Sequence, residues 1–299
     1  MTTAAFSAGS APAESFLRAS PTDLSRWSLV VAVNNDTVLK QTLLSSPAID
    51  SGCQVILKRN FPSAGMAYNS GIAEARNEII VFAHQDIYLP ESWKLELESA
   101  LSELAVRDPN WGALGPCGVG TKPPSDFAGY CYSTGLRGIV GQPFAGPVEV
   151  QSLDEIVLVI RRSSGILFDE ALPGFHLYGT DLCQLAKRRH LKSYAVPAFC
   201  IHNTNGIKSF PTDFWRGYLY LRRKWPENLP IRTCCTQITK GCGPAITRII
   251  KDFAHEILWP RKVGSRWDDV YRLCRFVDSE RSKCEDTGVP RESHSRESV

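Results

Sequence analysis

Trp27-Ser28-Leu29-Val30-Val31-Ala32-Val33 is almost wholly apolar and rich in β-branched residues, which predicts a first buried strand ending at Asn34-Asn35. A helix is expected over about 37–46, and Gln54-Val55-Ile56-Leu57 reads as a second strand. Met66 to Arg76 is Ala-rich and reads as a short helix that Ser63 can cap. Ile79-Ile80-Val81-Phe82-Ala83 is a third, fully apolar strand. After Pro90, the positions Trp93, Leu97, Leu101, Leu104 and Ala105 recur with a period near 3.6 and predict a helix. Trp111 to Leu114 reads as another strand. Residues 121–147, with many Gly, Pro and aromatic positions, read as a long loop of the kind that is usually functional or mobile. Within Val148–Arg161 the run Ile156–Ile160 predicts a strand. A helix follows from near Asp181 to about His190, and Ala195 to Ile201 forms a last strand ending in His202. The β-α-β-α-β order predicts an open, mostly parallel sheet with helices on both faces.

A chain of 299 residues can bury a substantial core as one large α/β domain or a domain with an appendage. Its 43% hydrophobic and 22% charged residues are ordinary for a globular protein, which argues against a chain disordered throughout. Residues 1–24 and 279–299 have the polar or small-residue composition of disordered tails. The expected organisation is therefore a tail over 1–24, a domain over 25–207, a helical extension over 208–278 and a tail over 279–299. No apolar segment approaches the ~20 residues of a membrane span. Residues 1–20 lack the basic start and apolar run of a secretory signal, so a reduced, cytoplasmic protein is expected. Most of the ten cysteines then serve as packing residues. Cys234-Cys235 and Cys242 do not have the spacing of a zinc site.

His84 and Asp86 follow the third strand at once, separated by Gln85. Ligands of open α/β sheets bind beyond the carboxyl ends of the strands. An imidazole and a carboxylate there can hold a divalent cation, and through it a diphosphate. Mg2+ and Mn2+ keep several waters, so one or two protein ligands suffice, and the imidazole favours Mn2+.

The segment from Asn60 to Glu78, followed by IIVFAHQDIYLPESW, resembles the core of the family 2-type glycosyltransferases with the GT-A fold. In that family an Asn-x-Gly helix, here carrying Asn69 and Gly71, precedes an apolar strand that ends in a metal-binding DxD motif. The resemblance also covers the first strand with Asn34-Asn35, Phe168-Asp169-Glu170, and Phe175 to Cys183, and it spans roughly residues 27–206. It implies a GT-A-like fold with Mn2+ or Mg2+ at Asp86 and His84. His202 would complete the metal site as a C-terminal His, with His176 as an alternative. It implies donor contacts from Asn34, Asn35, Asp36, Asn69, His84 and Asp86, and a general base at Asp181, with Asp154 and Glu155 competing for that role. Two positions depart from the family pattern. The motif reads His84-Gln85-Asp86, and Lys58-Arg59-Asn60 stands where an acidic residue usually follows the second strand. Gly71 reads as a close helix–sheet contact. Arg161 and Arg162 can pair with phosphate or with surface acids.

The net charge of +3 is uneven. Residues 1–207 hold 16 Lys/Arg against 19 Asp/Glu, whereas residues 208–299 hold 18 against 12. Ile246, Ile249, Ile250, Phe253 and Ile257 fall on one face of a predicted helix in this basic third. Burial against the domain is the ordinary fate of such a face. Contact with an anionic lipid surface is the alternative.

The resulting expectation is metal-assisted transfer of a sugar from a nucleotide-sugar donor to a hydroxyl of a glycan, lipid-linked or small-molecule acceptor. Bacterial surface polysaccharide or secondary-metabolite assembly is the expected setting. No nucleic-acid partner is expected, and the protein is placed in the cytoplasm or at the inner face of the membrane. A nucleotidyltransferase is the rival enzyme reading, although Asn34-Asn35-Asp36-Thr37 is not the Gly-rich, basic loop that such an enzyme needs. A catalytically degenerate nucleotide-sugar-binding module is the non-enzyme rival.

Overall fold

The structure is a computed structural model that describes residues 24–121, 127–257 and 263–287. The expected tail segments 1–23 and 288–299 lie outside these residues. The chain opens with β1 (Trp27–Val33), α1 (Asp36–Gln41), β2 (Cys53–Arg59), α2 (Ala64–Glu74) and β3 (Ile79–Ala83). A two-residue β4 (Ile87–Tyr88) leads into α3 (Trp93–Arg107). Then come β5 (Ala113–Gly115), β6 (Cys117–Gly120), β7 (Phe127–Ser133), β8 (Gly138–Gly141), β9 (Val148–Leu153) and β10 (Val157–Arg161). α4 (Tyr178–Arg188), β11 (Ser193–Ala195), β12 (Cys200–His202) and α5 (Thr212–Lys224) follow. A small ribbon of β13 (Ile231–Arg232) and β14 (Gln237–Ile238) precedes α6 (Gly243–Ile257) and α7 (Val270–Thr287). The last helix thus continues past position 279, where composition alone suggests a tail.

Among the described residues, twelve strands form one sheet in the order β2-β1-β3-β10-β5-β11-β9-β6-β7-β12-β4, with β8 added to β7. The β2-β1-β3 unit is parallel, as its βαβαβ order requires. The β5–β11 and β7–β12 pairs are also parallel. The remaining pairs are antiparallel, beginning with β10 beside β3. Parallel pairing therefore governs the half that begins the chain. From β5 to β10 the strands are joined without an intervening α-helix, and such connections favour antiparallel neighbours.

Alternation sends side chains of β1 and β3 to opposite faces of the sheet. Leu29, Val31, Ile79 and Val81 pack with Trp93, Leu97, Leu101 and Leu104 of α3. Val30, Ile80 and Phe82 pack on the other side with Tyr68, Leu182, Phe214 and Trp225. The predicted apolar stripe of α3 is buried except for Ala105, which is exposed. α2 begins at Ser63, whose hydroxyl accepts from the Met66 amide at 3.4 Å. It lies so close to β1 that a Cβ on Gly71 would sit 2.2 Å from Val30 Cγ1, the expected close helix–sheet contact.

The segment expected as a long loop carries β7 and β8 instead. Its glycines permit strand packing. A Cβ on Gly129 would lie 2.6 Å from the Phe127 ring and 2.9 Å from Cys117 Sγ. A third apolar cluster joins Tyr88, Tyr130, Tyr132, Phe199 and Ile201 of this end of the sheet to Val270, Leu273 and Val277 of α7.

α6 departs from the expected burial of its apolar face. Ala245 is buried, but Ile246, Ile249 and Ile250 are 53%, 44% and 61% exposed. The side chains of Phe253 and Ile257 lie outside the described residues. No described helix is long and apolar enough to cross a membrane. The nine cysteines whose side chains are described are free thiols.

Candidate metal centre

β3 ends at Ala83, and the turn His84-Gln85-Asp86 leads directly into β4. The turn is closed by the Ile87 amide, which donates to the His84 carbonyl at 3.1 Å. The His84 amide donates to the Ile156 carbonyl at 3.1 Å, anchoring the turn to the start of β10. β12 pairs with β4 so that His202 lies opposite Ile87. This register brings the ligand atoms of His84, Asp86 and His202 within 4.8 Å of one another. No other metal-like cluster occurs among the described residues.

Gln85, between the two ligands, serves the backbone. Its Oε1 accepts from the amides of Asn34 and Asn35, at 3.0 Å each, and its amide nitrogen donates to Asn34 Oδ1. It ties the carboxyl ends of β1 and β3 together.

The electrostatics suit a cation. Burial by itself would raise the Asp86 pKa, but the His202 hydrogen bond and the charges of His202, His84 and Arg266 outweigh it and hold the carboxyl well below its ordinary range. Asp86 Oδ1 faces His202 Nε2 at 3.4 Å, and Oδ2 faces Arg266 Nη2 at 3.1 Å. Burial, reinforced by His202 and His176, pushes His84 down to about 4, against the pull of Asp86. His84 is therefore neutral at physiological pH, the state in which an imidazole binds metal. Its Nε2 lies 2.9 Å from the Tyr178 hydroxyl, which donates to the Glu155 carbonyl at 3.2 Å. With the Tyr178 proton on the Glu155 carbonyl, the hydroxyl accepts from a His84 Nε2–H, the tautomer whose Nδ1 lone pair is free for a cation. A carboxylate with two imidazoles is a donor set that suits Mn2+ or Mg2+, with the nitrogen donors favouring Mn2+.

The other sequence-derived candidates divide. Asn34 is held by Gln85. Asn35 caps α1, accepting from the Val38 amide at 3.1 Å. Asp36 is exposed and pairs with Arg59 at 2.5 Å. Asn69 exchanges hydrogen bonds with the Phe168 backbone, 2.9 Å in each direction, and donates to Glu170 at 3.0 Å. These contacts turn it toward the 168–170 segment rather than toward the metal ligands. Asp154 and Glu155 lie just before β10, beside the His84 anchor at Ile156. Burial raises both carboxyls, with Asp154 adding to the effect on Glu155, which stands at about 8. His202 exerts an opposing pull on Asp154. α4 starts against this pair, where a Cβ on Gly179 would meet the Leu153 carbonyl at 2.7 Å.

Asp181 is 1% exposed. Both of its oxygens accept from Lys224 Nζ at 2.8 Å, and Oδ1 also accepts from Trp225 Nε1 at 2.7 Å. Lys224 in addition pairs with Asp169 at 2.6 Å. Asp181 thus joins α4 to α5 inside the protein. His176 is half-buried beside the Phe214 ring and outside the metal cluster. Arg161 and Arg162 are remote from the cluster because β10 runs antiparallel to β3, pairing Val157 with Ala83 and Arg161 with Ile79. Arg161 instead donates to the Trp111 carbonyl at 3.0 Å. Sequence reasoning missed Gln85, Tyr178, Lys224 and Arg266. Only Gln85 carried a local signal, its place between two ligands.

No family model matches the chain. A curated protein, the ATP synthase subunits region ORF 6 product of Fuscovulum blasticum, is 29% identical over 134 residues. The match covers 44% of this chain, which spans about half (53%) the length of that relative. Among solved structures, GalNAc-T7 with UDP, GalNAc and Mn2+ is similar at 12% identity and a TM-score of 0.42, covering 78% of this chain and 56% of that one. S. aureus TarS is similar at 12% and 0.41, covering 67% and 39%. The mannosyltransferase PcManGT of Pyrobaculum calidifontis, in complex with GDP-Man and Mn2+, is similar at 13% and 0.41, covering 89% and 76%. These likenesses are distant.

The buried Lys224 network generates a stability prediction. Lys224→Met removes the cation between Asp169 and Asp181 and leaves a buried carboxylate without its ion pair. Such a loss costs about 3–5 kcal/mol. Urea denaturation of the variant against the parent chain measures it, and a difference under about 1 kcal/mol would mean that the pair is not a structural link.

Proposed function

We propose that this chain is a metal-assisted glycosyltransferase that takes a sugar from a nucleotide-sugar and places it on an acceptor hydroxyl. The observation that carries this reading is the His84, Asp86 and His202 cluster at the carboxyl ends of a parallel βαβαβ unit. A divalent ion held there would neutralise the charge that develops on a diphosphate leaving group. Asp86 supplies the anionic ligand, His84 and His202 supply ring nitrogens, and Tyr178 hydrogen-bonds the other side of the His84 ring. In this reading Asn34, Asn35 and Asp36, which follow β1, contact the donor, whereas Asn69 supports the site through the 168–170 segment. The turn after β1 reads Asn34-Asn35-Asp36-Thr37, with Asn35 capping α1, and not the Gly-rich, basic loop of a nucleotidyltransferase, which favours this reading. Release of free nucleoside diphosphate from a nucleotide-sugar separates an enzyme from a binding-only module.

The base assigned here is Glu155, with Asp154 beside it. Glu155 precedes β10, its backbone carbonyl accepts from the Tyr178 hydroxyl that meets His84, and its raised pKa gives it proton affinity near neutrality. Asp181 is committed to Lys224 and Trp225. In this assignment the Glu155 carboxylate accepts the acceptor hydroxyl's proton as its oxygen attacks the anomeric carbon, while the sugar–phosphate bond breaks.

Three outcomes are expected. Calorimetric titration with UDP or GDP in the presence of Mn2+ gives metal-dependent binding that Asp86→Ala abolishes. Unchanged affinity in the variant would remove Asp86 from the metal site. Glu155→Gln lowers turnover by about 10²–10⁴-fold with nucleotide affinity retained. In the parent chain kcat/KM rises with pH as Glu155 loses its proton near pH 8, and this limb disappears in the variant. If Asp181→Asn instead abolishes turnover of the folded protein and Glu155→Gln does not, the base is misassigned.

The third outcome concerns the acceptor. The exposed isoleucines of α6, next to the exposed Lys251, support a lipid-linked acceptor presented at an anionic membrane surface. Co-sedimentation with phosphatidylglycerol vesicles is expected to be salt-sensitive, with an apolar remainder at high salt that Ile249→Ser with Ile250→Ser removes. Absence of binding would point to an acceptor free in solution.

A further inference from the structure

Residues 263–267 form a strap that returns to the metal centre from beyond α6. Gly264 is wedged in place: its amide donates to the Gly135 carbonyl at 2.9 Å, and the Gly206 amide donates to its carbonyl at 2.9 Å. A Cβ there would lie 1.7 Å from the Thr134 carbonyl oxygen, so only glycine fits. The buried Asn203 side chain clamps Trp267, donating to its carbonyl and accepting from its amide, both at 2.8 Å. The Trp267 ring in turn packs on Phe276 of α7. Between these anchors, Arg266 Nε donates to the Asn203 carbonyl at 2.9 Å and Nη2 donates to Asp86 Oδ2 at 3.1 Å.

Arg266 therefore occupies one oxygen of the same carboxylate that a divalent ion would use. Two cations on one carboxylate repel each other, so the guanidinium opposes binding of a metal alone. A guanidinium has five N–H donors, of which two are engaged here, and its side chain is 26% exposed. Its remaining donors suit the oxygens of a diphosphate. An anion carrying several negative charges, placed between the ion and Arg266, turns their repulsion into shared attraction.

We propose that Arg266 is a positioning residue that couples the two ligands, making the site bind a divalent cation tightly only together with a nucleoside diphosphate. This rests on the metal-assisted reading above. Coupling of this kind is reciprocal: whatever factor the nucleotide adds to the ion's affinity, the ion adds to the nucleotide's.

The test titrates Mn2+ alone, then Mn2+ with saturating UDP and with saturating GDP, by calorimetry and by the loss of free-Mn2+ electron paramagnetic resonance signal. The parent chain binds Mn2+ weakly alone and more tightly with nucleotide. Arg266→Gln is expected to bind Mn2+ alone about tenfold more tightly, and to lose about tenfold of the nucleotide-dependent gain, the size of one charge-assisted contact. A merely structural residue would weaken both titrations together. Arg266→Lys, which keeps the charge but not the planar fork, is expected to keep the parent affinity for Mn2+ alone and to lose part of the gain. An Arg266→Gln protein with parental affinity for Mn2+ alone, or with an undiminished nucleotide gain, would overturn the assignment of Arg266. A parent chain with no Mn2+-dependent nucleotide binding would instead overturn the reading on which it rests.

Discussion

A carboxylate that is only 9% exposed must be matched by positive charge or hydrogen-bond donors, and Asp86 draws them from widely separated parts of the chain. His202 comes from the end of β12 and Arg266 from the strap before α7. The Asp86 carbonyl also accepts from the Asn203 amide at 2.9 Å, so backbone and side chain are held by the same segment. Removing this residue would leave the β3–β4 turn, the end of β12 and the strap without their common partner. The charge at Asp86 thus specifies how the C-terminal part of the chain meets the parallel unit.

Two further links transmit this arrangement. The His84 side chain meets Tyr178, the first residue of α4, and its backbone meets Ile156, so the His84–Asp86 turn is coupled to the Asp154–Glu155 step and to a helix start at once. Burial keeps His84 neutral, which suits the role of ligand and would not suit that of a permanent counter-ion to Asp86. The His84, Asp86 and His202 cluster carries one acid, and Arg266 sets a positive charge beside it. The charge balance of this site is therefore close to neutral before any ligand arrives.

Lys224 with Asp181 and Asp169 forms a second buried ion cluster. Trp225 and Tyr220 donate to the same carboxylates at 2.7 Å each, so the acids have donors beyond the lysine. This cluster joins the 168–170 segment, α4 and α5. It holds Tyr178 and Gly179 against the Asp154–Glu155 step from the far side of α4. A helix-start aspartate reads identically in sequence whether it faces a substrate or a lysine, because the difference lies in a residue 43 positions away.

The sequence alone determined the features that depend on near neighbours: the apolar runs of β1 and β3, the stripe of α3, the Ser63 cap, the Gly71 contact, and His84 and Asp86 after a strand. Each is written in local periodicity or in a short motif with one physical meaning. His202 was also legible, as a polar residue ending an apolar strand. Tertiary structure decided the rest. β7 and β8 pass through glycines that look like loop residues until another strand approaches them. Asp181 turned inward because Lys224 folds over it, Arg161 fell at the wrong end because β10 runs antiparallel, and the isoleucines of α6 faced outward. Arg266 carries no local signal at all. It reaches Asp86 only because Gly264 and Asn203 dock the strap, a contact spanning 180 positions that periodicity cannot encode.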